Sequence, residues 1–425
     1  MSSTVNTNDA GIAERLSLVR SVFRKFFASD PKTIQPLAYE EGFPFPYNNF
    51  VYLVTREASH GLAPIPSELP GTQPIPGDHH EFVIRLPNPL SGYNDEVRVE
   101  NEIASLQLAR NALEPELPNL VPHVFGWASA KDGQQGWIMQ EFKQGKALLE
   151  DFEGMDDEKR AAILGQMADI LMALQKYRLP KSIREYGGIA FNTAGDIVSA
   201  PMSIHQAGPF RSYNDLVLAT IRTKLLKADS EARLQGWHGQ GIRARLHDFL
   251  EERFGFAMSL VTTLDKTLVH GDFSADNLLY DPATLRLTAV LDFDFAHIGT
   301  VADEFFRSLA HGIGRFPDKR DGEETLPLHL AMLHGFPDPL PVPTDDIQWT
   351  AAKAWNDALE TRDMWRPSNI PGIAQLSELF WLSSQLLPFK LVNEVVISNS
   401  SEEQLQARKH DGEVLLNDFL SEHGC

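Results

Sequence analysis

Leu268-Val269-His270-Gly271-Asp272-Phe273-Ser274-Ala275-Asp276-Asn277-Leu278-Leu279-Tyr280, followed by Leu291-Asp292-Phe293-Asp294-Phe295, sets an aspartate, an asparagine and a second aspartate between apolar runs. Val269 closes one short apolar strand and Leu278 opens another, so the loop between them can direct Asp272 and Asn277 into one cleft. Asp281-Pro282 starts a turn, and residues 287–291 read as a buried strand that delivers Asp292 at its end. Metal-assisted phosphoryl transfer requires a carboxylate beside the attacking hydroxyl, an amide oxygen on one cation and a carboxylate bridging the cations. Asp272, Asn277 and Asp292 meet that demand in order. Loop tips on rigid strands are a common place for chemistry.

The two motifs together resemble the aminoglycoside phosphotransferase and choline kinase family of small-molecule kinases, distant relatives of the protein kinases. The family's loop begins His-Gly-Asp, as in His270-Gly271-Asp272, where protein kinases have His-Arg-Asp. Its metal motif is Asp-aromatic-acid, as in Asp292-Phe293-Asp294, where theirs is Asp-Phe-Gly. A chance pair of acidic loops in an α/β protein would not agree in residue type, order, separation and flanking strands at once.

Composition bounds the rest. A chain of 425 residues with ordinary apolar content has room for two or three compact regions. No apolar run approaches the roughly 20 residues needed to span a bilayer, and the N-terminus lacks a secretory pattern. The only cysteine is Cys425, which excludes disulfides within the chain and a thiolate zinc cluster. Asp9 and Glu14 speak against an import presequence, so a cytoplasmic, reducing location is expected. A formal net charge of −20 repels nucleic acid and anionic membrane and permits cationic substrates.

Along the chain, Ile12, Leu16, Val19, Phe23 and Phe26 recur at helical spacing and predict an amphipathic helix over residues 9–28, packed on a small lobe. Residues 50–55 and 81–86 read as strands. Between them, Pro64, Pro66, Pro70, Pro74 and Pro76 make a long loop, a flexible insertion or a lid, ending in the pair His79-His80. Residues 95–109 read as a charged helix. Acids at 156–158 start another, and residues 187–200 read as a hairpin. Helical spacing returns at 216–226 and 242–261, and the tail over 349–420 is helical.

The resemblance runs from about Leu37 to Leu391 and implies an α+β, bilobal, protein-kinase-like fold. Residues 1–143 would hold the N-terminal helix and a nucleotide-binding small lobe with an antiparallel sheet and one helix. Residues 144–425 would form a larger, mostly helical, catalytic and substrate-binding lobe. ATP and Mg²⁺ are the implied cofactors, with Asp272 as base and Asn277 and Asp292 on the metal. Arg85 stands where a protein kinase has its phosphate-binding lysine, and Glu102 is its expected partner, with Glu100 competing. Asn49 resembles the family's asparagine before the second strand, although no Gly-x-Gly-x-x-Gly is present. Backbone groups near Glu141 and Phe142 would meet adenine. Asp303 either braces the catalytic loop or caps the next helix, and His270 is a brace. The C-terminal helices, with Trp355, Trp365, Trp381, Asp357, Glu360, Asp363 and Glu378, would wall a hydroxyl-bearing small-molecule acceptor, tilted toward amines. Against this stands a catalytically silent nucleotide-binding or scaffold protein, favoured by Arg85 and the missing glycine loop and opposed by the intact Asp272, Asn277 and Asp292.

Overall fold

Alternation along three strands sorts side chains to two faces of one sheet. Phe82, Ile84 and Leu86 lie on one face with Tyr52, Val54, Trp137 and Met139, while Val83, Arg85 and Gln140 lie on the other. The structure, a computed structural model, describes residues 7–57, 63–130, 134–204, 206–259, 261 and 264–425. Strands β1 (Thr33–Leu37), β2 (Asn49–Thr55), β3 (Glu81–Pro87), β4 (Val124–Ala128) and β5 (Trp137–Glu141) form a five-stranded sheet in the order β1-β2-β3-β5-β4. Every neighbouring pair is antiparallel.

The expected N-terminal helix, α1 (Ile12–Phe27), covers the first face of this sheet. Its Val19, Val22 and Phe23 are fully buried in the same cluster as Phe82 and Met139. Each such burial contributes roughly 1.5–3 kcal/mol. Gly11 and Ala28, both left-handed, bound the helix. The proline-rich segment is no free lid where it is described. Ile65 and Ile75 bridge each other, Ile75 joins the core, and Trp127 Nε1 donates to the Pro70 carbonyl at 2.9 Å. His79 packs edge-on against Phe82 and Phe125, with ring centroids 4.9 and 5.1 Å away. Residues 58–62 of that segment lie outside the described residues.

Helix α2 (Asp95–Leu113) begins at Asn94, whose side chain accepts from the Glu96 N–H. It packs beside β4, α4 (Asp157–Lys176) and β7 (Gly188–Phe191). Between β5 and α4 lie β6 (Lys146–Ala147) and the short α3 (Leu149–Phe152). Asp156 caps α4 through the Lys159 N–H, and β7 pairs with β8 (Ile197–Ala200) in the expected hairpin. After β9 (Thr267–Val269), β10 (Leu278–Asp281) pairs with both β11 (Arg286–Val290) and β6.

The chain divides into two compact units, residues 1–209 with 268–298, and residues 210–267 with 299–425. This division differs from a boundary at 143/144. Residues 144–209 and the motif-bearing 268–298 cluster with the sheet because β6 shares a ladder with β10 and because α2 packs on α4 and β7. Mixed α and β structure with an antiparallel sheet and a helical C-terminal part is the fold class expected.

The second unit is helical, with Tyr213–Ser230, Trp349–Glu360, Ile373–Leu386 and Glu402–Glu422 its longer helices. The expected helix over 242–261 is interrupted by a π-helical turn at Phe249–Arg253. Residues 260, 262 and 263 are outside the description. Among the described residues no helix is long and apolar enough to cross a membrane.

A cluster of charges holds the end of this unit. Lys319 Nζ lies 3.1 Å from Glu378, His423 Nε2 lies 3.0 Å from it, and Arg320 packs over the Trp381 and Phe419 rings. Burial works to raise the Glu378 carboxyl, but His423, Lys319 and Arg320 hold it down to about 2. With the folded value below the unfolded one, this contribution is complete above the ordinary carboxylate range and is lost as pH falls through about 2. Glu378→Gln should therefore lower the melting temperature by a few degrees at pH 7, with the gap narrowing steadily below pH 4. A gap that stays constant from pH 7 to pH 2.5 would contradict the assignment.

Candidate active site

The loop after β9 is built around a buried histidine. His270 Nε2 lies 3.0 Å from the Leu291 carbonyl, which can only accept, so this nitrogen carries the proton. Its Nδ1 then accepts from the Asp272 N–H at 3.3 Å. His270 thus braces the first motif against the second, the role expected of it. Gly271 has φ +77°, and a Cβ there would stand 2.7 Å from the Phe295 carbonyl oxygen, so only glycine fits.

Asn277 closes the same loop. Its Nδ2 donates to the Asp272 carbonyl at 2.8 Å and to Asp272 Oδ2 at 3.0 Å, which turns Oδ1 the other way. The Leu291 N–H donates to the Asn277 carbonyl at 2.8 Å, placing Asn277 beside the strand end that carries Asp292. Asp292 has φ +59°, uncommon for a residue with a side chain and typical of positions held by their surroundings.

What holds Asp292 is Arg85, on β3. The guanidinium pairs with Glu102 of α2 through one nitrogen and with Asp292 Oδ1 at 2.8 Å through another. Burial alone would push the Arg85 guanidinium down, but Glu102, Asp292 and Asp294 together raise it above its ordinary value. Burial also works to raise Asp292, and Arg85 overcomes this to hold it below the carboxylate range. Glu102 is pushed the other way by burial and by the two aspartates, against the pull of Arg85. The competing Glu100 accepts from the Phe191 N–H at 3.0 Å on β7 and takes no part.

A second arginine, not anticipated from sequence, sits beside the first. Arg98, also on α2 and 1% exposed, donates from Nε to Asp294 Oδ1 at 2.7 Å and pairs with Oδ2 through a second nitrogen. It also reaches Ser91 Oγ at 2.8 Å and the Asn48 carbonyl at 3.0 Å, and packs over the Tyr93 ring. Asn49 Nδ2 completes the shell of Asp294 at 3.0 Å. Asp294, the second acid of Asp-Phe-Asp, is therefore a clamp that joins α2 and the start of β2 to the motif.

These groups border a cavity of about 1250 Å³ within the first unit, lined among others by Asn49, Val83, Arg85, Gln140, Phe142, Lys143, Asn277 and Asp292. Glu141 is not among its walls. Its N–H donates to the His123 carbonyl at 2.8 Å, and its carboxylate accepts from the His123 N–H at 3.1 Å. Phe142 does line the cavity, joined by Lys143. Gly145, just before β6, has φ +146°, and a Cβ there would meet Thr288 Oγ1 at 2.3 Å.

In the second unit, Asp303 caps a helix. Its Oδ2 accepts from the Thr300 N–H at 2.8 Å, and Oδ1 accepts from Tyr213 Oη at 2.8 Å. The acids of the tail are engaged by neighbouring cations, Asp357 with Lys353 at 2.5 Å and Glu360 with Arg366 at 2.6 Å. Trp355 and Trp381 are core residues and Trp365 is 41% exposed.

A model of the phosphotransferase enzyme family, APH, matches residues 75–326, more than half of the sequence. The chain belongs to this family. The match contains Arg85, Arg98, Glu102, both loop motifs and Asp294, so the pairing just described lies inside the family's own span. Among solved structures, the gentamicin–APH(2'')-IIa complex is 16% identical with a TM-score of 0.50, covering 95% of this chain and 96% of that one. ADP-bound APH(2'')-Ib is 15% identical with a TM-score of 0.49, covering 95% and 97%. At such identity the first likeness concerns the fold alone. No curated protein matches the sequence.

The buried clamp makes a double-mutant prediction. Arg98→Met leaves Asp294 buried without its main partner and should cost about 3–5 kcal/mol in urea unfolding. Arg98→Met combined with Asp294→Leu removes both charges and should recover most of that loss. Additive losses in the double variant would contradict the clamp.

Proposed function

We propose that this phosphotransferase-family chain moves the γ-phosphoryl group of ATP to a hydroxyl of a small molecule, assisted by Mg²⁺. The observation that carries the reading is the single chain of contacts from Glu102 through Arg85 to Asp292, with Asn277 and Asp272 hydrogen-bonded beside it. A scaffold protein has no need of a buried arginine that bridges two carboxylates at the wall of a large cavity.

The residues suit the metal. Mg²⁺ takes oxygen ligands and is commonly held by one or two protein groups, the rest coming from phosphates and water. Asn277 Oδ1 is turned away from Asp272, Asp292 retains Oδ2 once Oδ1 is on Arg85, and both residues line the cavity. When bound, Mg²⁺ supplies charge neutralisation on the transferring group.

In this reading Asp272 orients the acceptor hydroxyl and takes its proton, while Asn277 Nδ2 fixes the carboxylate. Arg85 has N–H groups beyond those spent on Glu102 and Asp292, and these meet phosphate oxygens. Glu102 keeps the guanidinium aimed. Asn49 holds the start of β2 against Asp294, which positions the turn before it. Positioning and charge neutralisation supply most of the acceleration. The acceptor is a small hydroxyl-bearing molecule. Amine-bearing alcohols head the panel to test because the net charge of −20 attracts cations.

ATP consumption by the purified protein against amines, aminoglycosides, sugars and lipid alcohols tests the reaction, and no consumption with any hydroxyl compound would speak against it. Once an acceptor is in hand, Asp272→Asn should lower kcat about 10²- to 10⁴-fold with ATP affinity nearly unchanged. Full turnover in that variant would remove Asp272 from the mechanism. Asp292→Ala should instead abolish Mg²⁺-dependent ATP binding as well as turnover, and unchanged affinity by calorimetry would misplace the metal.

A further inference from the structure

The turn between β1 and β2, residues 38–48, lines the same cavity as Arg85 and Asp292 through Tyr39, Glu40, Tyr47 and Asn48. A turn that follows phosphates with its backbone is usually rich in glycine, because glycine lets the main chain come close. This one has a single glycine, Gly42, and four aromatic residues, Tyr39, Phe43, Phe45 and Tyr47. None of its residues is buried, so no core holds it. The rings of Phe43 and Tyr47 stack with centroids 5.1 Å apart, and Tyr47 Oη accepts from the Glu40 N–H at 2.8 Å. Those contacts are internal to the turn and do not fix where it stands.

Its place is set from outside. Asn88 Nδ2 donates to the Tyr47 carbonyl at 2.7 Å, and Arg98 holds the Asn48 carbonyl. A third anchor comes from the segment before α1. Asn8, in the single 3₁₀ turn Thr7–Asp9, is 2% exposed. Its Nδ2 donates to the Phe45 carbonyl at 2.8 Å, and its Oδ1 accepts from the Tyr47 N–H at 2.8 Å. Arg15, in the first turn of α1, ties this segment to β2. Its Nε donates to Tyr52 Oη at 3.1 Å, its guanidinium lies 3.7 Å from the centre of the Phe50 ring, and its other N–H groups reach the Asn8 and Ala10 carbonyls. Val19, Val22 and Phe23 already secure α1 on the sheet, so these polar contacts serve the turn rather than the helix.

We propose that the segment before α1 is a latch on the turn that meets the nucleotide phosphates, with Asn8 its positioning residue. This rests on the nucleotide reading given above and deepens it. Asn8 acts through the turn and touches no nucleotide. Its amide pairs with a C=O and an N–H two residues apart, as a neighbouring strand would, and so fixes the second leg of the turn before any ligand arrives. With Asn88 on the other side, Tyr47 is held by both of its main-chain groups. A flexible glycine-rich loop has to be ordered around the phosphates on binding, whereas here that ordering is complete beforehand and its cost is removed from the binding step. The amphipathic helix α1 then has a second use besides covering the sheet, because it carries the latch.

Calorimetry with Mg-ATP, thermal melting and hydrogen exchange of the full chain test this without any knowledge of the acceptor. In the wild type, Mg-ATP should slow amide exchange across residues 39–47. Asn8→Ala should speed exchange of that stretch in the free protein and weaken Mg-ATP binding about 5- to 50-fold. Asn8→Asp keeps an acceptor for the Tyr47 N–H but turns a second oxygen toward the Phe45 carbonyl, and it should weaken binding as well. Phe26→Ala supplies the contrast. Phe26 lies toward the far end of α1 from Asn8, packed where Gly126 leaves room, since a Cβ on Gly126 would stand 2.4 Å from its ring. This variant should lower the melting temperature more than Asn8→Ala does and leave Mg-ATP affinity within about twofold of the wild type. Equal Mg-ATP affinity in the wild type and Asn8→Ala, or an affinity loss that simply follows melting temperature across the three variants, would overturn the latch. So would a turn whose exchange Mg-ATP leaves unchanged in the wild type. Failure of the wild type to bind Mg-ATP at all would overturn the nucleotide reading itself.

Discussion

Two buried guanidinium groups are the constraint on which the first unit is arranged. A buried cation is tolerable only where carboxylates meet it at close range, and a buried carboxylate is tolerable only on the same terms. Arg85 is met by Glu102 and Asp292, and Arg98 by Asp294. Because the arginines come from β3 and α2 and the aspartates from the motif after β11, the requirement fixes three distant parts of the sequence together. Such pairs contribute little net stability relative to a packed apolar core, and what they provide is a defined geometry. The left-handed backbone of Asp292 is one cost that geometry carries.

The same requirement explains how acids of similar appearance serve different ends. Asp292 keeps one oxygen on Arg85 and lines the cavity, whereas both oxygens of Asp294 are taken by Arg98 and one of them also by Asn49. Glu102 faces Arg85, while Glu100, two residues earlier on the same helix, faces β7. A two-residue step on a helix turns the side chain by roughly 200°, so only one of the pair can reach β3.

What was legible in the sequence follows from range. The two loops that carry Asp272, Asn277 and Asp292 were readable because their spacing and flanking strands are local, whereas the brace by His270 came from the family resemblance, since strand alternation alone would put His270 and Asp272 on the same side. Strand alternation and the apolar stripe of α1 gave the sheet and its cover. Arg98 was not readable, since a basic residue on a helix rich in charges gives no sign that it is buried, and its partner lies 196 residues away. Proline spacing suggested a loose loop over residues 57–80, but it could not show that Ile75 enters the core. In the tail, tryptophans beside acids looked like a cationic pocket. Trp355 and Trp381 are instead buried packing residues, and neighbouring lysines and arginines take the carboxylates of Asp357, Glu360 and Glu378.

The central claim is that Asn277 and Asp292 form the metal end of a site whose other end is Arg85 held by Glu102. Anomalous scattering from crystals grown with Mn²⁺ and a non-hydrolysable ATP analogue addresses it most directly, because manganese reports its own position. The account predicts a manganese peak within coordination distance of Asn277 Oδ1 and Asp292 Oδ2, with Arg85 still paired to Glu102 and in contact with the phosphates. A peak away from both residues, or a nucleotide bound with Arg85 swung out of the cavity, would contradict it.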